Sequence, residues 1–252
     1  MASALVVQGL SKSFGALRAV ENVSLDVAPN QVHSLIGPNG AGKTTAFNCI
    51  SGFLRPDVGR IWLNGQEVTR WPPHRLASAG MARTFQITKI FSELSVLENV
   101  ALAARSRDGR NLQMWRRANH CAAKEQAEEV LRTLALSART DSSAGQLAHG
   151  EKRVLEIGIA LALRPAVLLL DEPTAGMSSR ESEHIAALIR KLSSRVSVLL
   201  VEHDMEIVLG ISDVVTVMTQ GRIIASGSPA QITRDPEVQA AYLGTAEPEF
   251  VS

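Results

Sequence analysis

The chain of 252 residues predicts an α/β fold: a parallel sheet with crossover helices, an antiparallel β portion near its start, and an inserted helical region. Three observations carry this. A strand-like run, Gln31-Val32-His33-Ser34-Leu35-Ile36, leads through a glycine-rich loop into a helix reaching about Ser51, with Gly52 placed to end it. Strand and helix alternate again from the run ending at Leu170 to the run ending at Val201. Between them, over about 88–161, strand-like patterning gives way to helical faces.

Taken in order, residues up to about 85 read as short strands with turns. Leu5-Val6-Val7 is one, and Val23, Leu25 and Val27 alternate with polar residues as a half-exposed strand does. Ile61-Trp62-Leu63, Asn64-Gly65 and Gln66-Glu67-Val68 form a hairpin signal with a tight turn. Further on, Ala123, Ala127, Val130, Leu131 and Leu134 share one helical face, and Val154, Ile157, Gly158 and Leu161 another. Arg105 to Arg117, polar and basic, reads as a loop. The buried run Val167-Leu168-Leu169-Leu170 precedes a helix with Ile185, Leu188, Ile189 and Leu192 on one face, then Val198-Leu199-Leu200-Val201. Val214 to Ser226, centred on Gln220-Gly221, reads as a closing hairpin. No internal repeat or low-complexity segment is present.

Apolar content of 45% and charge of 20% are ordinary for a globular protein. A net charge of +1 advertises neither nucleic acid nor anionic lipid as a partner. Two cysteines, Cys49 and Cys121, cannot build a disulfide framework or a metal knuckle; Cys49 reads as a buried free thiol, and both fit a reducing compartment. No apolar run approaches the length of a membrane span, and Met1-Ala2-Ser3-Ala4 lacks a basic leader, so the chain is expected to dock on a membrane only through a partner.

The loop Gly37-Pro38-Asn39-Gly40-Ala41-Gly42-Lys43-Thr44-Thr45 is a full match to G-x-x-x-x-G-K-S/T. Its glycines let backbone N–H groups approach an anion, and the helix N-terminus adds partial positive charge at the same place. Lys43 has the reach for β- and γ-phosphates, and the Thr44 hydroxyl can ligate Mg²⁺. In that strand–loop–helix context the motif implies a nucleoside triphosphate site. Asp171 and Glu172 end a buried strand as adjacent carboxylates, one suited to holding Mg²⁺ and the other to taking a proton from attacking water. Singly, His203 after the next strand, Gln86 at the junction with the helical insert, and Leu147-Ala148-His149-Gly150-Glu151 at a helix start each have a purely structural reading too.

Their order and spacing together resemble the nucleotide-binding subunit of an ATP-binding cassette (ABC) transporter, from about Leu5 to Gly244. The resemblance makes Gly37–Thr45 the Walker A loop, Gln86 the Q-loop, Leu147–Glu151 the signature motif, Val167–Glu172 the Walker B strand and His203 the H-loop, with Phe14 stacked on adenine. It implies a P-loop NTPase (RecA-like) core at about 1–87 and 162–244, a helical subdomain at about 88–161 and a tail at 245–252. Ala82-Arg83-Thr84-Phe85-Gln86, Leu155-Glu156-Ile157, Ala175-Gly176-Met177, Glu202-His203-Asp204-Met205 and Ala241-Tyr242-Leu243-Gly244 are similar to the LivG-type branch of branched-chain or hydrophobic amino acid importers. Urea and other small-solute importers share much of this wording, and exporters share the catalytic motifs; soluble ABC ATPases acting on ribosomes or DNA usually carry two cassettes or coiled-coil insertions, which this chain lacks.

By resemblance, Glu172, His203, Lys43 and Gln86 are catalytic, and Gly37 to Thr45, Phe14, Ala148, His149, Gly150 and Glu151 bind ATP. Thr44, Gln86 and Asp171 hold Mg²⁺. The implied partners are a second ATPase subunit packed head to tail, two membrane permease subunits and, indirectly, a periplasmic solute-binding protein, at the cytoplasmic face of an inner membrane. Two positions depart from the family pattern. Ala148 replaces the signature serine, and Ser178, where aspartate is common, can instead cap the next helix with Glu181.

Overall fold

The computed structural model describes residues 3–84, 90–107 and 117–243. Strands β1 (Leu5–Phe14) and β2 (Leu17–Val27) form a long antiparallel hairpin, and β4 (Val58–Leu63) pairs with the other edge of β1. With β5 (Gln66–Glu67) they make a sheet ordered β2-β1-β4-β5. The expected alternation holds: Val23, Leu25 and Val27 are buried and their neighbours exposed. The β4–β5 turn is made by Asn64 and Gly65, both at positive φ (49° and 79°), the requirement of a two-residue hairpin with the native twist.

The second sheet runs β10-β9-β3-β8-β7-β6, with β3 (Val32–Ile36), β6 (Met81–Arg83), β7 (Val167–Asp171), β8 (Ser197–Val201) and β9 (Val214–Thr219) parallel and β10 (Arg222–Gly227) antiparallel at the edge. Every residue of β3, β7 and β8 is buried, because both faces of a parallel sheet are covered. Alternate residues of β7 serve different cores. Val167 and Leu169 pack with Phe47 and the antiparallel sheet, whereas Leu168 and Leu170 pack with the helices on the other side.

That second core is lined by α3 (Val96–Arg107), α4 (Arg117–Thr133), α5 (His149–Ala162) and α6 (Ser179–Leu192). Arg105 to Arg107 extend α3 and Arg117 opens α4, so both ends of the loop expected over Arg105 to Arg117 are helical, and the rest of it lies outside the described residues. In α6 the predicted stripe Ile185, Leu188, Ile189 and Leu192 is buried. Ser178 is its N-cap: Glu181 accepts from the Ser178 N–H at 3.1 Å and from its hydroxyl at 2.6 Å. The first strands are longer than expected, since β1 continues to Phe14, where Lys12, Ser13 and Phe14 pair with β2 and Ser11 pairs with Val58 of β4 despite bulges. Among the described residues no helix is long and apolar enough to cross a membrane.

Candidate nucleotide site

The cradle stands where β3 hands the chain to α1 (Lys43–Ile50) at the carboxyl edge of the parallel sheet. Two glycines are demanded by backbone crowding. A Cβ on Gly37 (φ 148°) would lie 2.0 Å from the Met218 carbonyl oxygen, and one on Gly42 (φ 97°) 2.2 Å from that of Ala19. The turn of the β9–β10 hairpin closes on the loop from outside, with the Gly221 N–H donating to the Ala41 carbonyl at 2.9 Å.

Lys43 is buried, and its ammonium donates to the carbonyls of Gly37 and, at 3.0 Å, Pro38. Burial pushes its pKa down, opposed by the charges of Glu172 and Asp171. A cavity of about 670 Å³ opens over Asn39 to Thr45 and is lined also by Phe14, Leu17 and Glu172. Phe14 is 48% exposed, with the Lys12 ammonium 5.6 Å from its ring centroid.

Asp171 and Glu172 diverge although adjacent. Asp171 is the last residue of β7, 1% exposed, and its Oδ2 accepts from Arg83 Nη2 at 2.9 Å. Its Oδ1 is buried with no hydrogen-bond partner, and burial raises the carboxyl pKa while Arg83 lowers it. Glu172 leaves the strand in the left-handed region (φ 45°), a conformation that costs a non-glycine residue about 1–3 kcal/mol. That turn carries its side chain to the cavity wall.

An unsatisfied buried carboxylate oxygen beside a phosphate cradle is the donor a hard cation needs, so Asp171 with the Thr44 hydroxyl fits Mg²⁺. Gln86, expected to share that role, lies outside the described residues.

His203 follows β8 and is 62% exposed, with Nδ1 3.7 Å from Glu202 Oε2; it does not line the cavity. Nor do Ala148, His149, Gly150 and Glu151, which stand at the N-terminus of α5. Ala148 is the N-cap of that helix and its N–H donates to Glu151 Oε2 at 3.0 Å, half of a capping box. The other Glu151 oxygen accepts from Arg139, so both are engaged within the chain.

Four residues were given no role of their own in the sequence reading, although Arg83, Glu202 and Tyr242 lie in segments quoted there for their likeness to the family. Arg83 is one; the others are Arg153, Glu202 and Tyr242. Arg153 and Glu156 are buried and paired at 2.8 Å on α5 amid Val154, Leu155 and Ile157; charges at i and i+3 inside an apolar helix were the available signal. Glu202, wholly buried, accepts from the Thr174 N–H at 3.0 Å and hydroxyl at 2.6 Å. Tyr242, on the helix Pro236–Leu243, packs against the cluster containing Ile36 and hydrogen-bonds the Gly37 backbone, while burial pushes its phenol to about 12.

Comparison with known proteins agrees with this geometry. The family model "ABC transporter" matches residues 20–175, and "Branched-chain amino acid ATP-binding cassette transporter" matches residues 222–248. The chain is 44% identical to the high-affinity branched-chain amino acid transport ATP-binding protein BraF of Pseudomonas aeruginosa, over 96% of this chain and 98% of that protein. It is 41% identical to LivG of Escherichia coli K12, described in the same words, with the same coverage. Among solved structures, the ADP conformation of MJ1267, an ATP-binding cassette of an ABC transporter, superposes with a TM-score of 0.83 at 32% identity, covering 97% of this chain and 100% of that one. This chain therefore belongs to the ABC transporter family, as one of its ATP-binding proteins.

Proposed function

We propose that this ABC ATPase powers the import of branched-chain or other hydrophobic amino acids through partner membrane subunits. The observation that carries the substrate class is the near full-length identity of 44% to BraF, joined to the branched-chain match over residues 222–248.

Lys43 and the N–H groups of the loop hold the β- and γ-phosphates, and Phe14 meets the base. Asp171, Thr44 and Gln86 would hold Mg²⁺, which would supply positive charge against the phosphate oxygens. Glu172 takes a proton from water as its oxygen attacks the γ-phosphorus; the bond to the β-bridging oxygen breaks and ADP leaves. His203 adds a donor to the transferring group. A second ATPase subunit brings its own α5 N-terminus to the γ-phosphate, a reading supported by Ala148 to Glu151 standing outside this chain's own cavity. Gln86 and the helical region at about 88–161 relay nucleotide state to the permease subunits, at the cytoplasmic face of the membrane.

Reconstitution with those permease subunits and the solute-binding protein tests the reading. Labelled leucine, isoleucine or valine should accumulate in vesicles only with ATP and should not with Lys43→Ala. ATP-dependent uptake of a different solute in place of these three would overturn the substrate class.

A further inference from the structure

The chain that leaves β7 turns sharply at Glu172, and the carbonyls of residues 171–173 lie at the last residue of the strand and the two that follow it. Three consecutive ones converge on a single side chain. Arg153 Nη2 donates to the Asp171 carbonyl at 3.3 Å and to the Glu172 carbonyl at 2.7 Å, and its Nε donates to the Pro173 carbonyl at 3.1 Å. The guanidinium is 9% exposed with its residue, and its charge is balanced by Glu156 at 2.8 Å. One residue further on, Glu202 accepts from the N–H and hydroxyl of Thr174. A buried cation thus holds the carbonyl side of the turn and a buried anion its N–H side.

Such a grip answers a local problem. Glu172 sits at φ 45°, and a side-chain-bearing residue stays there only when its surroundings over-determine it. Arg153 belongs to α5, whose first turn is the Ala148–Glu151 segment. The same rigid helix therefore carries both the segment offered to a second subunit and the clamp on this chain's own catalytic turn.

We propose that Arg153 is a positioning residue for hydrolysis, fixing the turn that presents Glu172 to the cavity and tying that presentation to the orientation of α5. The inference rests on the reading of Glu172 as the base. The planar fork is what the three carbonyls require, and a lysine ammonium, one compact charge, cannot span them.

The test is a double-mutant cycle on the full-length chain, with single-turnover ATP hydrolysis and nucleotide binding as readouts. Arg153→Lys should lower kcat about 10- to 100-fold with KM for ATP within about twofold, the mark of an interaction used only in the transition state. In the Glu172→Gln background the same change should leave the residual rate within about twofold, because its route of action is already gone. A kcat within twofold of wild type, or an equal further loss in the Glu172→Gln background, would overturn the proposal. Near-normal turnover of Glu172→Gln alone would instead remove the base reading. If Arg153→Lys does not fold, Glu156→Gln, which keeps the guanidinium contacts but removes their counter-charge, should still lower kcat several-fold at constant KM; an unchanged kcat there contradicts the role.

Discussion

Arg83 donates from Nη2 to Oδ2 of Asp171 at 2.9 Å, while Oδ1 of the same carboxylate is buried without a partner. One oxygen is committed to the protein and the other has no hydrogen-bond partner among the described residues. Arg83 also donates to Asn48 Oδ1 and Ser51 Oγ and lies 4.7 Å from the Phe47 ring centroid, so one guanidinium joins β6, α1 and β7 behind the cradle.

Removing it should be severe. Arg83→Leu strands a buried carboxylate, and breaking such a pair costs about 3 kcal/mol or more. Urea unfolding at pH 7 measures this; a loss under about 1 kcal/mol would mean that Asp171 finds another partner or protonates cheaply.

Ala148→Ser should act twice. A serine at this N-cap adds an acceptor for the first-turn N–H groups of α5, worth about 1 kcal/mol of stability without nucleotide. Facing a second subunit, its hydroxyl could donate to a phosphate oxygen, a contact of roughly 1.5–3 kcal/mol. Association of the Glu172→Gln variant at fixed ATP should tighten about tenfold with the added serine. Equal or weaker association would show the missing donor already replaced, most simply by His149.

The neutral, buried His33 makes stability fall in acid. Burial holds its pKa below the ordinary value near 6.5, its Nδ1 facing the Asp26 carbonyl at 2.9 Å and its Nε2 the Thr216 hydroxyl at 2.7 Å. Above 6.5 neither state is charged. Below it the unfolded chain gains a proton that the folded chain refuses, costing at most about 1.4 kcal/mol per pH unit. Between pH 7.5 and 5.5 the wild type should lose more stability in urea than His33→Gln, and equal losses would contradict the assignment.

The cysteines should react very differently. Cys49 is 1% exposed and burial pushes its thiol to about 11, whereas Cys121 is exposed. An aromatic disulfide reagent at pH 8 should modify Cys121 in the native protein and Cys49 only after unfolding. Fast native reaction of Cys49 would place it outside the core.

What was legible in the sequence is what depends on near neighbours. The cradle is a backbone device, written in Gly37, Gly42 and Lys43 within a few residues, and Asn64-Gly65 and Gln220-Gly221 announce their own turns. The family likeness located Ala148 and His203 as motifs, but their distance from the cavity of a single chain is a three-dimensional fact. Contacts between charged side chains and remote groups stayed hidden. Arg83 meets Asp171 across 88 positions and Glu202 meets Thr174 across 28, and local pattern offers only a charge among apolar residues as warning. Strand β1 was undercounted because its polar second half is extended through pairing with β2 and β4 rather than by propensity.

The central claim is that ATP chemistry occurs at the cradle with Glu172 as base, and the Glu172→Gln variant tests it most directly. ATP should bind within about threefold of wild type while single-turnover hydrolysis slows at least about 100-fold, since the amide cannot take the proton from water. On size exclusion with ATP the variant should accumulate as a dimer. Turnover within a few-fold of wild type, at unchanged ATP affinity, would contradict the account.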